Sequence, residues 1–160
     1  MEYEAFRDIL NETLLGRERA QLLERMSKNP KRFVGLFRPS VPKNKLLQNI
    51  LQNREILFGN AMERIIKAIL SEYHYIMQDP QISPLLKCDL YFLAPNKKNV
   101  YLVEMKMRDD HDSTKRRGQW SNFDSKVRVL HNRHKENLTA VFYFLDPSLR
   151  KNHNFYEKKC

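Results

Sequence analysis

The chain reads as an α/β protein: a mixed β-sheet flanked by helices, preceded by a helical appendage. Three observations lead there. Two apolar runs, Asp89 to Leu93 and Val100 to Lys106, are separated by Ala94-Pro95-Asn96-Lys97-Lys98-Asn99, which has hairpin-loop composition. Ahead of them Met62, Ile65, Ile66, Ile69, Leu70 and Tyr73 form one apolar helical stripe. Behind them Trp120, Phe123, Val127 and Leu130 repeat at helical spacing, before another apolar run from Leu138 to Leu145. A hairpin followed by a helical crossover to a further strand predicts a mixed sheet with helices on its faces.

Each element follows in order. Phe6, Ile9, Leu10, Thr13 and Leu14 recur at roughly helical spacing, and Leu22, Leu23 and Met26 extend the pattern until Asn29-Pro30 breaks it. Arg38-Pro39-Ser40-Val41-Pro42 is a rigid connector that cannot continue a helix. Leu46, Leu47, Ile50, Leu51 and Arg54 restart helical spacing. The many Lys and Arg of residues 1–53 favour phosphates, so this region is expected to be a helical appendage for DNA clamping or dimerisation. Residues 54–145 are expected to form the core and 146–160 a tail, with little sign of a closing element and consistent with truncation. Within the core, the helix after Gly59 carries Glu63 at the border of its apolar stripe. A short strand is expected around His74 to Met77. Asp79-Pro80 and Ser83-Pro84 mark a loop leading to Asp89. Asp146-Pro147 ends the last strand.

Composition narrows the function. With 160 residues and 41% apolar content, one domain with an appendage can bury a core. No run of about 18 or more apolar residues occurs, so no spanning helix is expected. The acidic start, Met1-Glu2-Tyr3-Glu4, lacks the apolar stretch of a secretory signal, and a cytoplasmic protein is expected. The two cysteines, Cys88 and Cys160, are far apart and fit neither a disulfide framework nor a zinc cluster. Cys88 reads as a small buried hydrophobe. Only four glycines occur, with no nucleotide-binding loop among them, so ATP dependence is unsupported. The net charge of +10 favours a polyanionic partner, since Lys and Arg release counterions from phosphates. A membrane surface is the weaker partner, because no strongly amphipathic basic helix stands out.

The hairpin carries the chemistry. Side chains alternate along a strand, so Glu104 and Lys106 share one face. Val103 and Met105 are expected on the other, towards whatever covers the sheet. Asp89 opens the neighbouring strand, so an aspartate, a glutamate and a lysine meet in one patch. Mg²⁺ prefers oxygen ligands and is commonly held by one or two carboxylates plus substrate phosphate. The bland alternative is a charged strand end with surface ion pairs worth little.

Asp89, then Glu104-Met105-Lys106, with Glu63 on the preceding helix, resembles the PD-(D/E)XK nuclease superfamily, whose best-known members are type II restriction endonucleases. The resemblance covers about Gly59 to Leu145, and the TdeIII-like group looks closest. Cys88 stands where the motif has its proline. The resemblance implies a restriction-endonuclease-like αβββαβ core and a Mg²⁺-dependent endonuclease acting on specific sites in double-stranded DNA. It implies Asp89, Glu104 and the Met105 carbonyl as metal ligands, Lys106 as the residue beside the attacking water, and Glu63 on a second metal, directly or through water. It also implies a homodimer cutting one strand per subunit, with a partner methyltransferase in the host.

Basic residues after the hairpin complete the picture. Lys115-Arg116-Arg117-Gly118-Gln119 opens a helix, and helix N-termini welcome phosphates. Lys115, Arg116, Arg117 and Gln119 are therefore expected at DNA, together with Lys126 and Arg128 on the polar side of the same helix. Asp109, Asp110 and Asp112 lack the spacing of an EF-hand and read as a solvated loop. His131 and His134 lack a third metal ligand and read as a positively charged helix end. Two other readings stand beside the restriction enzyme. One is a PD-(D/E)XK nuclease of DNA repair or recombination. The other is a basic DNA-binding module without catalysis.

Overall fold

A computed structural model describes residues 1–15, 24, 27, 28, 42–108, 112–148 and 151–159. The expected break at Asn29-Pro30 and the connector from Arg38 to Val41 lie outside them. The chain divides into two compact units, Met1–Ile66 and Lys67–Cys160.

The first unit contains helix α1 (Tyr3–Leu15) and most of helix α2 (Pro42–Glu72), which runs unbroken through residue 53. Arg64 ties the two helices together, donating to Thr13 Oγ1 and to Glu12 Oε2, both at 2.7 Å.

The second unit takes in the last turn and more of α2, whose end has a definite cause. Tyr75 N–H bonds Leu70 C=O at 2.9 Å and His74 N–H bonds Ser71 C=O at 3.0 Å. This is a Schellman closure, with His74 at φ 63° in the position usually given to glycine. It turns the chain into β1 (Ile76–Met77), the short strand expected there. The expected loop from Asp79 to Asp89 instead contains a two-stranded ribbon, β2 (Gln81–Ser83) and β3 (Leu86–Lys87). Strands of two and three residues are too short to show a period. Ile82 anchors this ribbon in the core.

The main sheet has the order β1-β4-β5-β6, with β4 at Leu90–Leu93, β5 at Val100–Lys106 and β6 at Leu138–Phe144. The first two pairings are antiparallel and β5–β6 is parallel, so the mixed sheet is as expected. The β4–β5 turn closes through local chemistry. Asn96 Oδ1 accepts from Lys98 N–H at 2.9 Å, and Lys97 adopts φ 58°. The parallel partner requires a crossover, supplied by helix α3 (Ser113–His134). Asp112 caps this helix by accepting from Lys115 N–H at 2.8 Å. That hydrogen bond lowers the Asp112 pKa. Asp109 and Asp110 lie outside the described residues.

Helix α3 packs Phe123 and Leu130 onto Leu102, Ile82 and Cys88, and Leu102 and Leu130 are fully buried. The expected tail is not loose. Residues His153–Glu157 form helix α4, and Tyr156 stacks on Phe142 with ring centres 5.0 Å apart. Trp120 and Phe144 complete the aromatic cluster. Its members come from three distant segments, so no local spacing announces it.

Candidate active site

The register of the hairpin builds the site. Leu90 pairs with Val103 and Tyr91 with Leu102, so one step further Asp89 stands opposite Glu104. Residues directly opposite share a face, and Lys106 joins them two positions along. That face also carries Leu102, which lies in the core under α3. On the other face Met105 is buried, as expected, and Val103 is half-buried, but the carboxylate face is covered as well. The carboxylates lie on the face packed by α3, because Val100 and Leu102, two of the most buried residues of β5, alternate in phase with Glu104.

Glu104 is 6% exposed. Lys106 Nζ donates to its Oε1 at 2.6 Å, and Lys126 Nζ donates to its Oε2, also at 2.6 Å. Asp89 Oδ2 accepts from Met105 N–H at 2.8 Å and lies 3.8 Å from Lys106 Nζ. Lys106 thus touches one carboxylate and stands near the other. Two carboxylates and two ammoniums balance in charge. Burial raises the Asp89 pKa above the ordinary 3.8, and Glu104 raises it further, while Lys106 and the Met105 N–H oppose the shift. Burial likewise pushes the neighbouring Cys88 thiol up to about 11, so this cysteine stays protonated and inert.

The main chain adds a third oxygen. The Lys106 C=O is occupied by Leu145 N–H at 2.9 Å, on the side of β6. Successive strand residues direct their polar groups to opposite edges. Met105 therefore directs both N–H and C=O to the β4 side, where its N–H meets Asp89 beyond the end of β4. Among the described residues no three His, Cys, Asp or Glu side chains gather as a metal cluster. Two carboxylates and one carbonyl, all oxygen donors, nevertheless suit Mg²⁺, which keeps several waters and needs few protein ligands. Glu63 lies on α2 within the other unit, Met1–Ile66.

The expected DNA contacts separate by burial. Lys115 and Arg117 are exposed near the start of α3, and Arg128 is exposed and paired with Asp124 at 2.8 Å. Arg116 instead turns inward, donating to Asn152 Oδ1 at 2.8 Å and lying 4.2 Å over the Phe155 ring. Gln119 buries its Oε1. Lys126 was expected on the solvent side and is in fact buried at 4% exposure, bonded to Glu104. A signal for this exists: Lys126 follows Phe123 by three and precedes Leu130 by four, which places it on the apolar stripe. His134 sits at the end of α3, its Nε2 2.7 Å from Tyr91 Oη.

Comparison with known proteins places this geometry. No curated protein and no solved structure matches the chain. A family described as type II restriction endonuclease, HinfI, matches residues 74–160, more than half of the chain. The match contains Asp89, Glu104, Lys106 and Lys126 and extends through α4. It does not support the narrower likeness to the TdeIII-like group. Restriction endonucleases are typically metal-dependent and act on DNA. No helix among the described residues is long and apolar enough to cross a membrane. A mixed sheet that sets two carboxylates beside a lysine and a match across the whole of that sheet agree: the chain belongs to the HinfI family of type II restriction endonucleases, phosphodiester hydrolases that cleave DNA.

Proposed function

We propose that Asp89, Glu104 and the Met105 carbonyl hold the Mg²⁺ of this endonuclease and that Lys106 serves the attacking water. The observation that carries this reading is the placement of Lys106 Nζ, 2.6 Å from Glu104 Oε1 and 3.8 Å from Asp89 Oδ2. An ammonium flanked by two carboxylates marks a locus where positive charge is favoured, and a divalent cation carries more of it. Mg²⁺ when bound supplies Lewis acidity at the scissile phosphate.

The chain's own residues do the rest. Asp89 and Glu104 must be ionised to serve as ligands, and the Met105 N–H fixes the rotamer of Asp89. Lys106 orients the water and stabilises negative charge growing on the phosphate. Lys115, Arg117 and Arg128 are proposed to grip DNA phosphates, which fixes register without reading sequence. The enzyme is proposed to act as a homodimer, one strand per subunit, in a host whose methyltransferase protects the same sites.

Digestion of plasmid DNA tests this. Discrete fragments are expected with Mg²⁺ and none with EDTA. Asp89→Asn, Glu104→Gln and Lys106→Met should each abolish cutting while leaving DNA binding in Ca²⁺ largely intact. Full cutting by any of the three would refute that residue's role.

A further inference from the structure

We infer that Lys126 is a positioning residue that selects which oxygen of Glu104 faces the cation. The inference rests on the metal-site reading above and goes one step deeper. Glu104 is held at both ends, and its two holders differ. Lys126 Nζ takes Oε2 from helix α3, and its side chain is 5% exposed. It is set between Phe123 and Leu130, both in the core, so it cannot leave without unpacking the helix. Lys106 Nζ takes Oε1, and its side chain is 22% exposed. It stands at the end of β5.

Glu104 and Asp89 would hold the cation, and the Lys106 ammonium lies beside both carboxylates. Lys106 would turn towards the phosphate, while Lys126 stays on Oε2. Oε1 would then be the oxygen that serves the cation. Glu104 is thereby restricted to one oxygen towards the metal, and its plane is set before DNA arrives. This differs from a merely structural buried ion pair, which would keep the protein folded but leave the metal's placement unaffected.

The two roles separate in experiment. The full chain is titrated with Ca²⁺ alone by calorimetry, and single-turnover cleavage of plasmid DNA is measured with Mg²⁺. Lys126→Met frees Oε2 and removes a positive charge, so Ca²⁺ should bind about three- to tenfold more tightly. Cleavage should nonetheless slow by about 10–100-fold, the usual cost of losing a group that orients a ligand. Lys126→Gln, whose amide still donates towards Oε2 without the charge, should keep the tighter Ca²⁺ binding and recover most of the lost cleavage.

Weaker Ca²⁺ binding and slower cleavage together in Lys126→Met would overturn the proposal, as would Lys126→Gln cutting no faster than Lys126→Met. If Lys126→Met does not fold, Lys126→Gln decides. Tighter Ca²⁺ binding with cleavage within about tenfold of wild type supports positioning, and weaker binding overturns it. Glu104→Gln serves as the control for the underlying reading. Unchanged Ca²⁺ binding there means that Glu104 is no ligand, and the proposal then falls with the site rather than through Lys126.

Discussion

The two carboxylates of the site should respond in opposite ways when removed, although both are expected to be essential. Consider Glu104→Ala against Asp89→Asn. Glu104 is buried, and each of its oxygens receives an ammonium at 2.6 Å. Removing it leaves Lys126 buried without its carboxylate. Breaking a buried pair by deleting one partner costs about 3–5 kcal/mol, because the other charge stays uncompensated. The unit Lys67–Cys160 is of the size at which each kcal/mol moves Tm by about 4–8 °C. A fall of about 12–40 °C follows.

Asp89 differs. Its raised pKa means that the folded protein holds its charge at a cost, first through burial and then through Glu104. Asparagine removes that cost and keeps an oxygen for the Met105 N–H. What is lost is attraction to a partly exposed ammonium 3.8 Å away, worth about 1 kcal/mol or less. Thermal unfolding followed by circular dichroism at neutral pH in EDTA compares the two. The double variant Glu104→Ala with Lys126→Met should regain much of the loss, since both charges then leave together. A Glu104→Ala protein melting within about 3 °C of wild type would show that the pair contributes little, and the reasoning would fail.

Two further predictions follow from the same geometry. The raised Asp89 pKa means that the folded state binds this proton more tightly than the unfolded state. Its contribution to stability is therefore greatest below pH 3.8 and declines as pH rises through the raised value. The stability of Asp89→Asn relative to wild type should increase with pH across that window, and Ca²⁺ binding by wild type should weaken as pH falls through it; a stability difference that shrinks with pH would contradict this. At the start of α3, Arg117→Ala should lower the salt slope of DNA binding by about one, measured by fluorescence anisotropy across a KCl series. Arg116→Ala should instead lower Tm, because Arg116 is engaged by Asn152 and Phe155, and the reverse pattern would reassign the two.

Part of this site was legible before any coordinates. Asp89, Glu104 and Lys106 come together because a hairpin has a fixed period and a short turn, and both are local. Asn96 and Lys97 behave as their turn chemistry requires. The apolar stripe of α3 and the crossover to a parallel β6 are likewise written in spacing. Three things were not. The ribbon of β2 and β3 is too short to show a period. The aromatic seat of Tyr156 is assembled from segments that are remote in sequence. The inward turns of Lys126 and Arg116 answer to partners 22 and 36 residues away.

The amino-acid order alone determined the long helices, the hairpin, its paired acids and lysine, and the nuclease resemblance, because each depends on neighbours within a few residues or across one tight turn. Only the tertiary structure decided that α3 covers the carboxylate face, that Glu104 is gripped from both sides, and which basic residues remain in solvent. Those outcomes depend on which helix lands on which strand. That choice is made by packing and by the need of a buried charge for a partner, and only the place of Lys126 on the apolar stripe of α3 leaves a local trace of it.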